Sequence, residues 1–162
     1  MILFFQALCE KITFNKNHMN FIVNNAIKIL IGLLFAVILF HLCIITKIVP
    51  YEITWGGRLT NDTEMYVFET ISILINALLI WVLFMKGNFV TYKFPDKVVH
   101  VILWVFFAIF MLNTIGNIFA KTLFEKQFAF LTGFFSILLL LIILKRNTKR
   151  EGWKFINLLC FV

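Results

Sequence analysis

The chain has 162 residues, 62% of them hydrophobic and only 14% charged, with a formal net charge of +7. A soluble domain of this length has no way to hide that much apolar surface. The positive charge gathers at the ends of apolar runs rather than in a patch, so it points away from nucleic acid and toward a lipid bilayer.

Four apolar runs, at 27–49, 65–85, 98–119 and 128–144, fill most of the sequence. A helix needs about 20 apolar residues to cross the hydrocarbon layer. The last run is 17 residues long, at the short end of that range. None contains proline, so uninterrupted helices are expected. The runs are apolar on every side, which excludes the alternating pattern of a membrane β-barrel. The expected fold class is therefore all-α, a four-transmembrane-helix bundle forming one membrane domain over 27–144. A segment over 1–26 precedes it and a basic tail over 145–162 follows.

Charge orients the bundle. Eleven basic residues lie in or just after segment 1–26, between the second and third spans, and in the tail: Lys11, Lys16, Lys28, Lys86, Lys93, Lys97, Lys145, Arg146, Lys149, Arg150 and Lys154. The opposite side holds Lys47, Arg58, Lys121 and Lys126, together with Glu52, Asp62, Glu64 and Glu125. The positive-inside rule then puts both termini in the cytoplasm. A multi-pass protein of the inner (cytoplasmic) membrane is expected.

Within segment 1–26, residues 1–8 are apolar but too short to span, and 10–20 are polar. Met19 offers a second possible start; the alternative is a short helix lying in the cytoplasmic interface. Gly32 and Ala36, Gly116 and Ala120, and Ala129 and Gly133 are pairs of small residues four apart. Such pairs let helix backbones approach, either within one bundle or across a homodimer seam.

In the first external loop, Gly56-Gly57 makes a turn, and Tyr51 and Trp55 suit the headgroup belt. Asn61 followed by Glu64 reads as a capping box opening the second helix. Pro95-Asp96 is helix-start chemistry for the third. The end of the tail, 153–162, is too short to span and is expected in the inner interface.

The candidate site consists of polar residues inside the spans. Glu69 lies roughly 6 Å inside the outer end of the second helix, and Asn76, seven residues on, shares its face about midway through the membrane. Asn113, Asn117 and Lys121 follow at spacings of four along the third helix and form one slanted stripe. His41 lies roughly 12 Å in from Val49. Thr132 and Ser136 occupy the outer half of the fourth. All share one half of the bundle. A carboxylate there costs up to about 3 kcal/mol on insertion and calls for a partner. Lys121 matches Glu69 by depth, and the amides can donate to the same carboxylate. Each residue also has a plainer reading: Glu69 reaching headgroups, Lys121 snorkelling, the amides and His41 joining helices.

Cys9, Cys43 and Cys160 are far apart and show no CxxC pairing, and neither Cys9 nor Cys43 follows a lipoprotein cleavage pattern. One intramembrane histidine, with no HxxxH or HExxH spacing, gives no metal site, and no glycine-rich phosphate loop is present. No cofactor is expected. The 21 phenylalanines are rich in A/T codons, like the abundant Ile, Lys and Asn, so they carry no aromatic-cage reading.

Four segments carry a resemblance. Val49-Pro50-Tyr51-Glu52, Trp55-Gly56-Gly57-Arg58-Leu59, Glu64-Met65-Tyr66-Val67-Phe68-Glu69 and Asn113-Thr114-x-Gly116-Asn117-x-x-Ala120-Lys121 look like a group of small bacterial integral membrane proteins. The resemblance covers about half the chain; it implies topology and a bacterial source, and no chemistry. A looser similarity, in helix count and buried polar groups alone, is to four-helix sterol-isomerase-like membrane proteins.

Three functions compete. The first is a non-enzymatic membrane protein that binds a lipid or small amphiphile in the outer polar pocket, or serves as the subunit of a membrane protein partner. The second is an intramembrane lipid-modifying enzyme using Glu69 or His41 as acid or base. The third is a small oligomeric transporter or channel subunit, which unbroken helices disfavour. Expected partners are membrane lipids, with a homo-oligomer or a membrane protein partner as the protein contact.

Overall fold

The computed structural model describes backbone at residues 2–51, 59, 61–91, 94–119 and 123–159, and side chains at 18–51, 59, 61–91, 94–119 and 126–144. The Gly56-Gly57 turn, Trp55, Lys121, the Glu125 side chain, Cys9, Cys160 and the side chains of both terminal segments lie outside the described residues. The described chain forms helices α1 (Ile2–Ile45), α2 (Asp62–Lys86), α3 (Asp96–Ile118) and α4 (Leu123–Leu159). Each contains a stretch long and apolar enough to cross a membrane: His18–Ile45, Asp62–Lys86, Asp96–Ile118 and Lys126–Leu144.

Two helices outrun the apolar runs that announce them. Helix α1 begins at Ile2 and α4 continues to Leu159. Hydropathy marks the part of a helix that suits lipid, whereas helix continuation depends on the absence of breakers. No Gly or Pro occurs before Gly32, and none lies between Gly133 and Gly152.

Helix α1 also stops at Ile45, short of the expected 49. Lys47 takes a left-handed conformation (φ 57°). Its N–H donates to the Ile44 carbonyl at 2.8 Å, and the Ile48 N–H donates to the Cys43 carbonyl at 2.9 Å. This pair of bonds is a Schellman stop, a place usually held by glycine. The Lys47 ammonium reaches Asp62 at 2.5 Å, in the first turn of α2, and so ties the two helix ends together.

The end of α2 repeats the motif. Asn88 is left-handed (φ 60°), its N–H donates to the Met85 carbonyl at 3.2 Å, and the Phe89 N–H donates to the Phe84 carbonyl at 3.0 Å. The hydrophobic contact that accompanies the motif is present: the Phe84 and Phe89 rings meet edge-on, centroids 6.0 Å apart. Phe89 lies over Gly87 so closely that a Cβ there would come within 2.4 Å of its ring. At the helix starts, the Asn61 side chain accepts from the Glu64 N–H at 2.9 Å, as a cap should, and Pro95 and Asp96 open α3.

Contacts run between neighbours in sequence and between α1 and α4, closing a ring of four helices. The end of α1 meets the starts of α2 and α4 through His41–Glu69 and Phe40–Phe128, and the end of α3 meets the start of α4 through Thr114–Thr132. Direction therefore alternates around the ring. The main core occupies the end that carries the α2–α3 connection. It contains Val23, Ile27, Leu30 and Leu34 from α1, Leu79 and Leu83 from α2, Val99, Leu103, Phe106 and Phe110 from α3, and Phe135, Leu139 and Ile142 from α4. Their steps of three and four are the seam of an antiparallel bundle. Within lipid such a core holds by close packing rather than by escape from water. A smaller cluster of Ile44, Leu59 and Met65 caps the opposite end.

Candidate functional site

The α1 seam continues past Leu34 through Val37, His41 and Ile44, and the α2 seam runs Met65, Glu69, Ser72, Asn76, Leu79 and Leu83. Both keep the alternating four-three step. Positions that would hold Leu in the main core thus carry His41, Glu69, Ser72 and Asn76 toward the α1–α2 end. This register is what turns Glu69 inward, where its exposure is 0%. A carboxylate in that position is stable only with a partner.

One partner is His41. Its Nδ1 stands 2.5 Å from Glu69 Oε2, and its side chain is 14% exposed. The two residues are 28 apart in sequence and meet because α1 and α2 run antiparallel. The two side chains share a short hydrogen bond across the helix pair. With Nδ1 engaged, Nε2 is the ring atom left to meet a third group. A carboxylate behind an imidazole fixes the ring's orientation, the arrangement used both to hold hydrogen-bonding ligands and to move protons.

A second polar layer joins α3 to α4. Thr114 Oγ1 donates to the Phe110 carbonyl at 2.7 Å and lies 2.9 Å from Thr132 Oγ1. Thr132 Oγ1 in turn lies 2.9 Å from the Phe128 carbonyl, and the buried Ser136 hydroxyl donates to the Thr132 carbonyl at 3.0 Å. Gly133 faces this contact, and a Cβ added there would make ordinary contact with the Thr114 methyl at 3.5 Å. Thr114 was not among the expected polar residues. The signal for it was the α3 seam itself, which steps from Phe110 to Thr114 and reaches the depth of Thr132.

The other expected residues fall as follows. Asn76 is half-buried and its amide donates to the Ser72 carbonyl of its own helix at 2.8 Å. Asn117 is half-buried and Asn113 is exposed, and among the described residues neither hydrogen-bonds Glu69. Lys121 lies outside the described residues. The structure therefore brings His41 and Glu69 together and leaves Asn113 exposed. Among the described residues, no group of three His, Cys, Asp or Glu is placed to hold a metal.

Fully buried residues are sparse in this half of the bundle. No residue is buried between Leu34 and Ile44 on α1, between Glu69 and Leu79 on α2, or after Phe110 in the described part of α3. Compared with protein-family models, curated proteins and solved structures, the chain matches none.

Proposed function

We propose that this protein binds a lipid or small amphiphile in the polar half of its helix bundle, with the His41–Glu69 pair as the anchor for the headgroup. The observation that carries this reading is a fully buried carboxylate held by a histidine at 2.5 Å within membrane-spanning helices. Apolar residues of similar volume would pack there at no cost in stability, so the pair points to a task beyond packing. The ligand's polar end would reach the partly exposed edge of His41, while acyl chains lie along the apolar helix faces. With both termini in the cytoplasm, the site opens to the outer leaflet.

A second reading shares the same residues. The short His41–Glu69 contact is also an acid–base pair, suited to an intramembrane lipid-modifying enzyme of isomerase type that takes a proton from one carbon and returns it to another. Native mass spectrometry with lipid analysis on gently purified protein separates these readings. A lipid species retained by wild type and lost from Glu69→Gln and His41→Gln supports binding. Conversion of that species by wild type, but by neither variant, supports the enzyme. Identical lipid content in all three proteins overturns both.

A further inference from the structure

The His41–Glu69 pair lies at a definite depth. His41 precedes Ile45, the end of α1, by four residues, and Glu69 follows Asp62, the start of α2, by seven. At the rise of an α-helix, the pair sits about 6–10 Å inside these helix ends. The ends themselves are marked by the exposed Lys47–Asp62 ion pair. Charges of this kind belong at the level of water and lipid headgroups. The pair is thus about one to two helical turns beneath that level. Aromatic rings border it: Phe40 lies beside His41 with centroids 6.2 Å apart, and packs on Phe128 at 5.4 Å.

The pair also limits what it can hold. Glu69 has no exposed surface, so a ligand meets the pair at His41. With Nδ1 bonded to Glu69, one ring nitrogen, Nε2, is left for that ligand. Nε2 accepts or donates according to the tautomer, and donates in an imidazolium. A hydroxyl both donates and accepts, so it suits Nε2 in every case, whereas a carbonyl only accepts. A phosphate calls for several donors or a fixed positive charge, as Arg and Lys supply. Here a carboxyl group stands behind a single imidazole. Drawing a phosphate so far below the headgroups would also strip a full charge of its water.

Given that the pair anchors a bound lipid, as proposed above, we infer that this ligand is an uncharged lipid whose polar end is a hydroxyl, such as a long-chain alcohol or a diacylglycerol, bonded to His41 Nε2.

The test uses the full chain, purified gently, and lipids that share the same oleoyl chains: dioleoylglycerol, its acetate ester and dioleoyl phosphatidic acid. Native mass spectrometry measures how much of each the protein retains. Wild type keeps dioleoylglycerol about tenfold over the other two. His41→Leu loses that preference, and Leu103→Ala, in the main core, keeps it. Should His41→Leu fail to fold, the ranking within wild type and Leu103→Ala still decides. Preferred retention of phosphatidic acid or the acetate, released by His41→Leu, would overturn the hydroxyl assignment and leave the binding reading standing. Equal retention of all these lipids by wild type and His41→Leu would overturn both.

Discussion

The two ends of this bundle follow the same helical register and use it for different purposes. Toward the α2–α3 connection, seam positions hold Leu, Ile, Val and Phe, and all four helices contribute buried residues. Toward the α1–α2 connection, the same steps bring His41, Glu69, Ser72, Asn76, Thr114 and Thr132 to the interior, and few residues are buried around them. The hairpin of α2 and α3 shows the contrast within one unit. It is clamped at one end by the Schellman turn and the Phe84–Phe89 contact, and has no buried residue on the opposite half of α3. Structure is carried by one end, which leaves the other able to hold polar chemistry.

The sharpest way to break that division is to remove half of the pair. Glu69→Leu or His41→Leu alone should destabilise the bundle by about 3–5 kcal/mol, because each breaks the buried His41–Glu69 hydrogen bond from one side. The double variant should recover most of that stability while losing the bound lipid. Reversible unfolding in mixed micelles, run as a double-mutant cycle, measures the coupling. Additive single effects would show that the pair does not act as a unit. Next in size, Leu103→Ala in the main core should cost about 2 kcal/mol through the cavity it leaves, with lipid binding unchanged. A loss of lipid from this variant would mean that the two ends are not independent. Smallest, Thr114→Val should cost about 0.6 kcal/mol, typical of a hydrogen bond between helices in a membrane. A loss of several times that size would place the Thr114–Thr132 contact among the principal supports of the fold.

Apolar run length announced the four helices, and Asn61, Glu64, Pro95 and Asp96 announced where two of them begin. The ends were harder to read, because Lys47 and Asn88 adopt a backbone conformation that composition associates with glycine. Depth along a helix follows from counting residues, so His41 and Glu69 could be assigned to one half of the membrane. Which residue faces which depends on helix rotation. Thr114 and Asn113 flank the α3 seam on opposite sides, and the neighbour that each flank meets decides that the threonine is half-buried against α4 and the asparagine exposed. Nor does depth alone reveal that a histidine stands beside Glu69, since depth matches Lys121, which lies outside the described residues, to the same carboxylate.

The order of the pair along the chain has a consequence for biosynthesis. His41 precedes Glu69, so α1 has left the ribosome before α2 begins to emerge. When the segment bearing the acid reaches the translocon, its imidazole partner is already waiting in the bilayer. Loss of His41 would then be felt during synthesis as slower integration of α2, whose apolar length still carries it into the membrane.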